Sequence, residues 1–370
     1  MAEPLINHFG IEIPQKIAAM IEKVYPEFDS AGFVKEVAKE FDELNLMQRG
    51  ARIADVLQPF LPDDFPTAVD ILVKSIGPKL EGTENHGMAP FLYLPHMNFI
   101  AKFGLDHFKE SMQAQHTLTQ RFTAEFSIRP FIEKYPEKTL ARLREWTKDP
   151  SEHVRRLVSE GTRPRLPWAS RLREFQRDPT PALALLELLK DDPSLYVRRS
   201  VANHLNDIGK DHPEVLVKTT RKWMKGASDE RQWLIRHALR SAIKRGDRDA
   251  LAVLGFVGDE NIGIENLNIT PAAPAIGKKV MIRFKVANED SRQRSVMVDC
   301  QVHFVKANGS SSPKVFKLKA VEFGPQERVE IRKSISLAEM TTRKHYPGLH
   351  KIDVMLNGAI RPLGEFDLRK

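Results

Sequence analysis

The octet Asp-Pro-Ser-x-x-Val-Arg-Arg occurs at residues 149–156 and again at 192–199, 43 residues apart. A repeat of that spacing limits the chain to architectures built from similar units. Asp149 and Asp192 read as helix N-caps, with Pro150 and Pro193 in the first turn. Val154, Leu157 and Val158 then mark one buried face, and Val197, Val201 and Leu205 mark its counterpart. A weaker third copy spans Ser228 to Gly246, where Leu234, Ile235 and Arg236 stand for Val-Arg-Arg at an offset of 37. A period near 40 made of helix pairs predicts an all-α, HEAT-like repeat solenoid, in which neighbouring units supply the core that no single unit can form alone.

Helical spacing holds from the start, as in Ile17, Met20, Ile21 and Val24, up to about Val257. Beyond it the period becomes two. Val280, Ile282, Phe284 and Val286 alternate with polar residues, as do Val296, Val298, Cys300, Val302 and Phe304, and later Ile352, Val354 and Leu356. About seven strands are expected between Ile262 and Leu368, with turns at Asn288 to Ser291, Asn308-Gly309 and Asn357-Gly358. This predicts an all-β immunoglobulin-like sandwich. A chain of 370 residues exceeds the roughly 250 to 300 that one core supports. The expected domains are therefore 1–257 and 258–370.

The formal charge of +8 is unevenly spread. Residues 1–120 carry 10 Lys+Arg against 17 Asp+Glu, residues 121–257 carry 28 against 19, and residues 258–370 carry 19 against 13. A basic middle and tail suit a polyanionic partner, because clustered cations gain by displacing condensed counterions. The single cysteine, Cys300, excludes a disulfide framework and a cysteine-rich zinc site. No apolar run approaches the roughly 20 residues needed to cross a bilayer, and the N-terminus lacks a secretory pattern. A cytoplasmic protein is expected. Phosphate-loop, dinucleotide, zinc-protease and serine-hydrolase motifs are all missing.

What remains is a set of acids among the repeat arginines. Arg156 and Glu160 are four apart, and Arg199, Asn203 and Asp207 step by four and four, so each set shares a helix face opposite the valines. The plain alternative for Arg156 and Glu160 is a surface ion pair. Asp207, close to Gly209, is expected near a helix end, where an acid opposes the helix dipole. Trp168 closes GTRPRLPW, at an expected helix start, while Trp146, Trp223 and Trp233 read as packing residues.

Four stretches carry a family resemblance: MAEPLINHFG at the start, LTQRFTAEFSIRPFI from Leu118, VRRLVSEGTRPRLPW from Val154 and YVRRSVANHLNDIGKDHP from Tyr196. Together they resemble the AlkC branch of the AlkC/AlkD alkylpurine DNA glycosylases, some of which append an immunoglobulin-like domain. The resemblance implies hydrolysis of the glycosidic bond of N3-alkylated bases, notably 3-methyladenine, in duplex DNA without flipping the lesion into a pocket. It places the acidic residues at Glu125, Glu160 and Asp207 and an aromatic wall at Trp168. Carboxylates beside C1′ would stabilise an oxocarbenium-like sugar and supply water, and the indole face would favour positive charge. No metal or cofactor is implied. Arg155, Arg156, Arg198, Arg199 and Arg236 would hold phosphates. The β domain would add contacts through its 288–291 or 308–312 loop. A monomer acting at the bacterial nucleoid is expected. Two rivals remain: a non-catalytic binder of damaged DNA, and a repeat scaffold for a protein partner.

Overall fold

The computed structural model describes residues 4–83, 87–340 and 343–370. The first three residues of MAEPLINHFG lie outside them. The described residues form fifteen α-helices and then seven strands. The helices are α1 (Glu12–Glu22), α2 (Ser30–Ala38), α3 (Leu46–Phe60), α4 (Phe65–Ser75), α5 (Leu94–Phe103), α6 (Phe108–Thr119), α7 (Ile128–Lys134) and α8 (Pro136–Trp146). They continue as α9 (Glu152–Gly161), α10 (Arg173–Arg177), α11 (Thr180–Leu189), α12 (Leu195–Asp211), α13 (Pro213–Met224), α14 (Asp229–Lys244) and α15 (Arg248–Val253). No described helix is long and apolar enough to cross a membrane.

By compactness the chain divides into residues 1–211 and 212–370. The change from helix to strand falls elsewhere, between Val253 and Ile262. The second unit therefore holds α13 to α15 together with all the strands.

In the first unit the repeated octets build α9 and α12, which pack on each other. Val154, Leu157, Val158, Val197, Val201 and Leu205 are all buried. The entry to each helix differs from the capping expected. Asp149 and Asp192 stand before the helix and accept from the N–H of Ser151 and Ser194, two residues on, at 2.8 and 2.9 Å. Each proline lies in this turn, outside the helix. The first arginine of each octet closes the turn from within: Arg155 donates to the carbonyls of Asp149 and Pro150, and Arg198 to those of Asp192 and Pro193. Four carbonyl oxygens that the two sharp turns leave without helical partners are thereby satisfied.

The second unit contains the strands β1 (Ile262–Thr270), β2 (Lys279–Asn288), β3 (Arg294–Val305), β4 (Ser311–Phe323), β5 (Arg328–Ser336), β6 (Gly348–Leu356) and β7 (Ala359–Leu368). They form antiparallel sheets of order β1-β2-β5 and β4-β3-β6-β7. The alternating residues of the sequence meet between the sheets, with Val280, Ile282, Phe284, Val298, Cys300, Val302 and Val354 fully buried. Asn357-Gly358 makes the β6–β7 turn with φ of 47° and 83°, the left-handed pair a tight hairpin needs. Gly358 also meets α14's end: a Cβ there would lie 2.2 Å from the Gly246 carbonyl oxygen. The Asn357 side chain donates to the Gly258 carbonyl at 2.6 Å and accepts from the Met297 N–H at 2.8 Å. These contacts explain why α14 and α15 group with the strands.

Candidate active site

The first unit places Glu125, Glu160, Arg156 and Trp168 around one cleft of about 350 Å³. Phe91, Phe122, Phe126 and Tyr196 supply its aromatic walls. Asp207 is not among the lining residues but stands behind them.

Glu125 sits in the turn before α7. Thr123 shapes that turn, since its hydroxyl accepts from the Glu125 N–H and donates to Glu125 Oε2 at 2.9 Å. Arg156, on α9, lies 2.5 Å from the same carboxylate oxygen and stacks over the Tyr196 ring, 5.2 Å from its centroid. Glu160 follows one helical turn later. Arg156 and Glu160 do pair, at 3.6 Å, but with side chains only 17% and 7% exposed this is not the surface ion pair that spacing alone suggests. Both groups are largely buried, and Glu160 has closer partners. Arg163 reaches Glu160 Oε1 at 2.6 Å, and the Ser200 hydroxyl donates to Oε2 at 2.6 Å. The same guanidinium lies 2.6 Å from Asp207 Oδ2, while Lys210 takes Oδ1 at 2.8 Å.

Asp207 is 2% exposed and lies four residues before the end of α12, not at its terminus. Arg163 and Lys210, rather than the helix end, set its surroundings. Glu125, Glu160 and Asp207 thus face Arg156, Arg163 and Lys210 in a network of balanced charge. Burial pushes the Glu160 carboxyl up, but Arg156, Arg163 and the Ser200 hydrogen bond outweigh it and hold it below the ordinary value. Burial depresses Arg163, and Glu160 and Asp207 more than reverse that. Glu160 therefore stays ionised at neutral pH. Next to it, His204 is fully buried and donates from Nδ1 to the Ser159 carbonyl at 2.9 Å, and burial, with Arg163, lowers it to about 4.

Trp168 lies in the loop between α9 and α10 rather than at a helix start. It is 64% exposed at the cleft's lip and has φ of +65°, a left-handed conformation that costs a non-glycine residue about 1–2 kcal/mol. Trp146 and Trp223 are buried, and Trp233 stacks on His237.

The five arginines take different positions. Arg155 pairs with Asp192 at 2.6 Å as well as closing its turn, and Arg198 is similarly occupied. Arg156 belongs to the cleft. Arg199 and Arg236 are exposed, the latter 3.2 Å from Gln232. Spacing did not reveal Arg163, Thr123, Ser200 or Tyr196, whose roles depend on residues up to 44 positions away. The one available signal was the pair of arginines in GTRPRLPW. Among the described residues, no group of three or more His, Cys, Asp or Glu is arranged to hold a metal ion.

Comparison with known proteins places the chain in a family. Residues 263–370 match the family described as "Uncharacterised protein YhaZ, C-terminal Ig-like domain". The chain is 35% identical to "Uncharacterized protein YhaZ" of Bacillus subtilis (strain 168) over 361 residues, covering 97% of this chain and 98% of that protein. It also matches the structure of Pseudomonas fluorescens alkylpurine DNA glycosylase AlkC bound to DNA containing an abasic site analog. That match has 39% identity and a TM-score of 0.88, and covers all of both chains. The chain belongs to the AlkC family. The helical region and immunoglobulin-like sandwich expected from its periodicities are those of that family's fold.

Proposed function

We propose that this AlkC-family protein is a DNA glycosylase that hydrolyses the N-glycosidic bond of N3-alkylated bases, notably 3-methyladenine, in duplex DNA. The observation that carries the reading is the cleft in which Glu125 and Glu160 flank Arg156 beneath an exposed tryptophan. Full-length similarity to a glycosylase structure bound to DNA supports it.

Alkylation at N3 makes the base cationic and a good leaving group. The main requirements are then to stabilise positive charge growing on the sugar and to bring water to C1′. Fixed carboxylates meet the first by preorganised electrostatics, with no acid needed to protonate the departing base. In this reading Glu125 and Glu160 face the sugar and orient water. Asp207, one guanidinium further back, holds Arg163 and offsets its charge. The Trp168 face lies against the cationic base or sugar. A cleft open at its lip suits a lesion left in the stack, in contrast to the enclosed pocket of a base-flipping enzyme. Arg199 and Arg236, whose charges stand in solvent, take phosphates. Arg155 and Arg198 hold their own turns.

Incubation with methylated duplex DNA, followed by identification of the released bases, tests this directly. Free 3-methyladenine is expected. Binding that weakens with salt but releases no base would instead indicate a non-catalytic damage binder. Binding insensitive to salt would favour a protein partner.

A further inference from the structure

Arg129, on α7, is 2% exposed, and among the described residues it has no carboxylate within salt-bridge distance. A buried cation without such a partner is costly, so what it does bind must be specific. Its Nη1 donates to the carbonyls of Gly161 at 3.1 Å and Arg163 at 2.9 Å, and its Nη2 donates to that of Ser170. These three carbonyls bracket the irregular loop that carries Trp168. Beside them, α7 presses against the loop's start: a Cβ on Gly161 would lie 2.6 Å from Ile128 Cγ2.

We propose that Arg129 is a positioning residue for the cleft, fixing the loop so that Trp168 is aimed across it and Arg163 is delivered to Glu160 and Asp207. The proposal rests on the glycosylase reading of the cleft. Neither side chain is positioned by regular structure, because residues 162–172 have no ladder of their own. A left-handed tryptophan persists only where its surroundings over-determine the backbone. Arginine suits the task because its planar fork directs two nitrogens at separated carbonyls, which a lysine ammonium cannot match.

The test is a double-mutant cycle in the full-length protein. Single-turnover release of 3-methyladenine from methylated duplex and equilibrium DNA binding are measured for wild type, Arg129→Lys, Trp168→Ala and the double variant. Arg129→Lys is expected to slow release about 10-fold or more while changing affinity less than about 3-fold, and in the Trp168→Ala background it should cost clearly less than in wild type, because the part of its effect carried by Trp168 is already lost. Multiplying effects would overturn the proposal, since independent groups add in free energy. Hydrogen exchange supplies a readout that does not depend on activity. In Arg129→Lys, the amides of residues 162–170 should exchange faster while the cores of α9 and α12 keep their protection. Unchanged loop exchange, or loss of protection throughout the unit, would refute the positioning role. If the wild type releases no base, the glycosylase reading fails, and the exchange result alone decides whether Arg129 holds the loop. Arg129→Met serves as a second variant should the lysine fail to fold.

Discussion

Replacing Asp207 with asparagine tests whether a carboxylate outside the cleft acts on the chemistry within it. Asp207→Asn keeps the side-chain shape and leaves the network with one positive charge in excess, shared between Lys210 and an Arg163 that keeps its contact with Glu160. The Arg163 guanidinium touches Glu160 on its other side, so the altered charge lies one guanidinium and one contact from the sugar. At roughly 8 Å and an effective dielectric of about 20, one unit charge contributes about 2 kcal/mol. That corresponds to a rate about 30-fold lower, and closer to 100-fold if Arg163 also shifts on Glu160. DNA binding should persist or tighten, because the protein gains positive charge. The assay is single-turnover base release with saturating enzyme, beside equilibrium binding and thermal unfolding, run well below the variant's melting temperature. The lost charge-assisted hydrogen bonds should also cost about 1.5–3 kcal/mol of stability. Release at the wild-type rate from a correctly folded variant would refute the electrostatic role.

Other outcomes follow from the same geometry. Arg199→Ala should weaken DNA binding across sequences and lower the salt slope by about one contact, whereas Arg155→Ala, which breaks the Asp192 pair, should lower the melting temperature with little effect on that slope. His96 and His204 are fully buried and held at about 4, so the unfolded chain binds more protons than the folded one between about pH 4 and 6.5. Stability should therefore fall as pH drops through that window, by about 2 kcal/mol per histidine at pH 5, and His96→Leu should flatten the acid limb of melting temperature against pH. A chain ending at Val257 loses the Asn357-Gly358 turn on which α14 and α15 pack, and should show α13 to α15 exchanging amide hydrogens far faster than in the full chain.

Much of the architecture is legible because periodicity is local. A 3.6-residue period and a period of two require only neighbouring residues, so the change from helix to strand could be read near Val257, and the paired octets announced α9 and α12. The compact division at Asp211 was not legible, since it depends on α14 meeting a hairpin more than a hundred residues later in sequence. The site shows the same contrast. Arg156 and Glu160 share a helix face and could be paired by counting, but counting gave them each other. Their nearest partners, Glu125 and Arg163, come from a turn and a loop whose courses are set by tertiary contacts. Arg155 and Arg198 look like phosphate ligands in sequence because a charge does not reveal which carbonyls lie within its reach.

The turns opened by Asp-Pro-Ser bear on how such an array can grow. Each octet carries the acid that caps its turn and the arginine that ties off its carbonyls, so a copied segment inherits a finished entry to its helix and asks nothing new of the older units. The residue after that arginine is left unconstrained by the turn. In one copy it faces inward on Glu125 as Arg156, and in the other it faces solvent as Arg199. The joint is the same in both copies and so is the arginine that follows it; what packs around each copy, not the residue itself, separates an interior role from an exterior one.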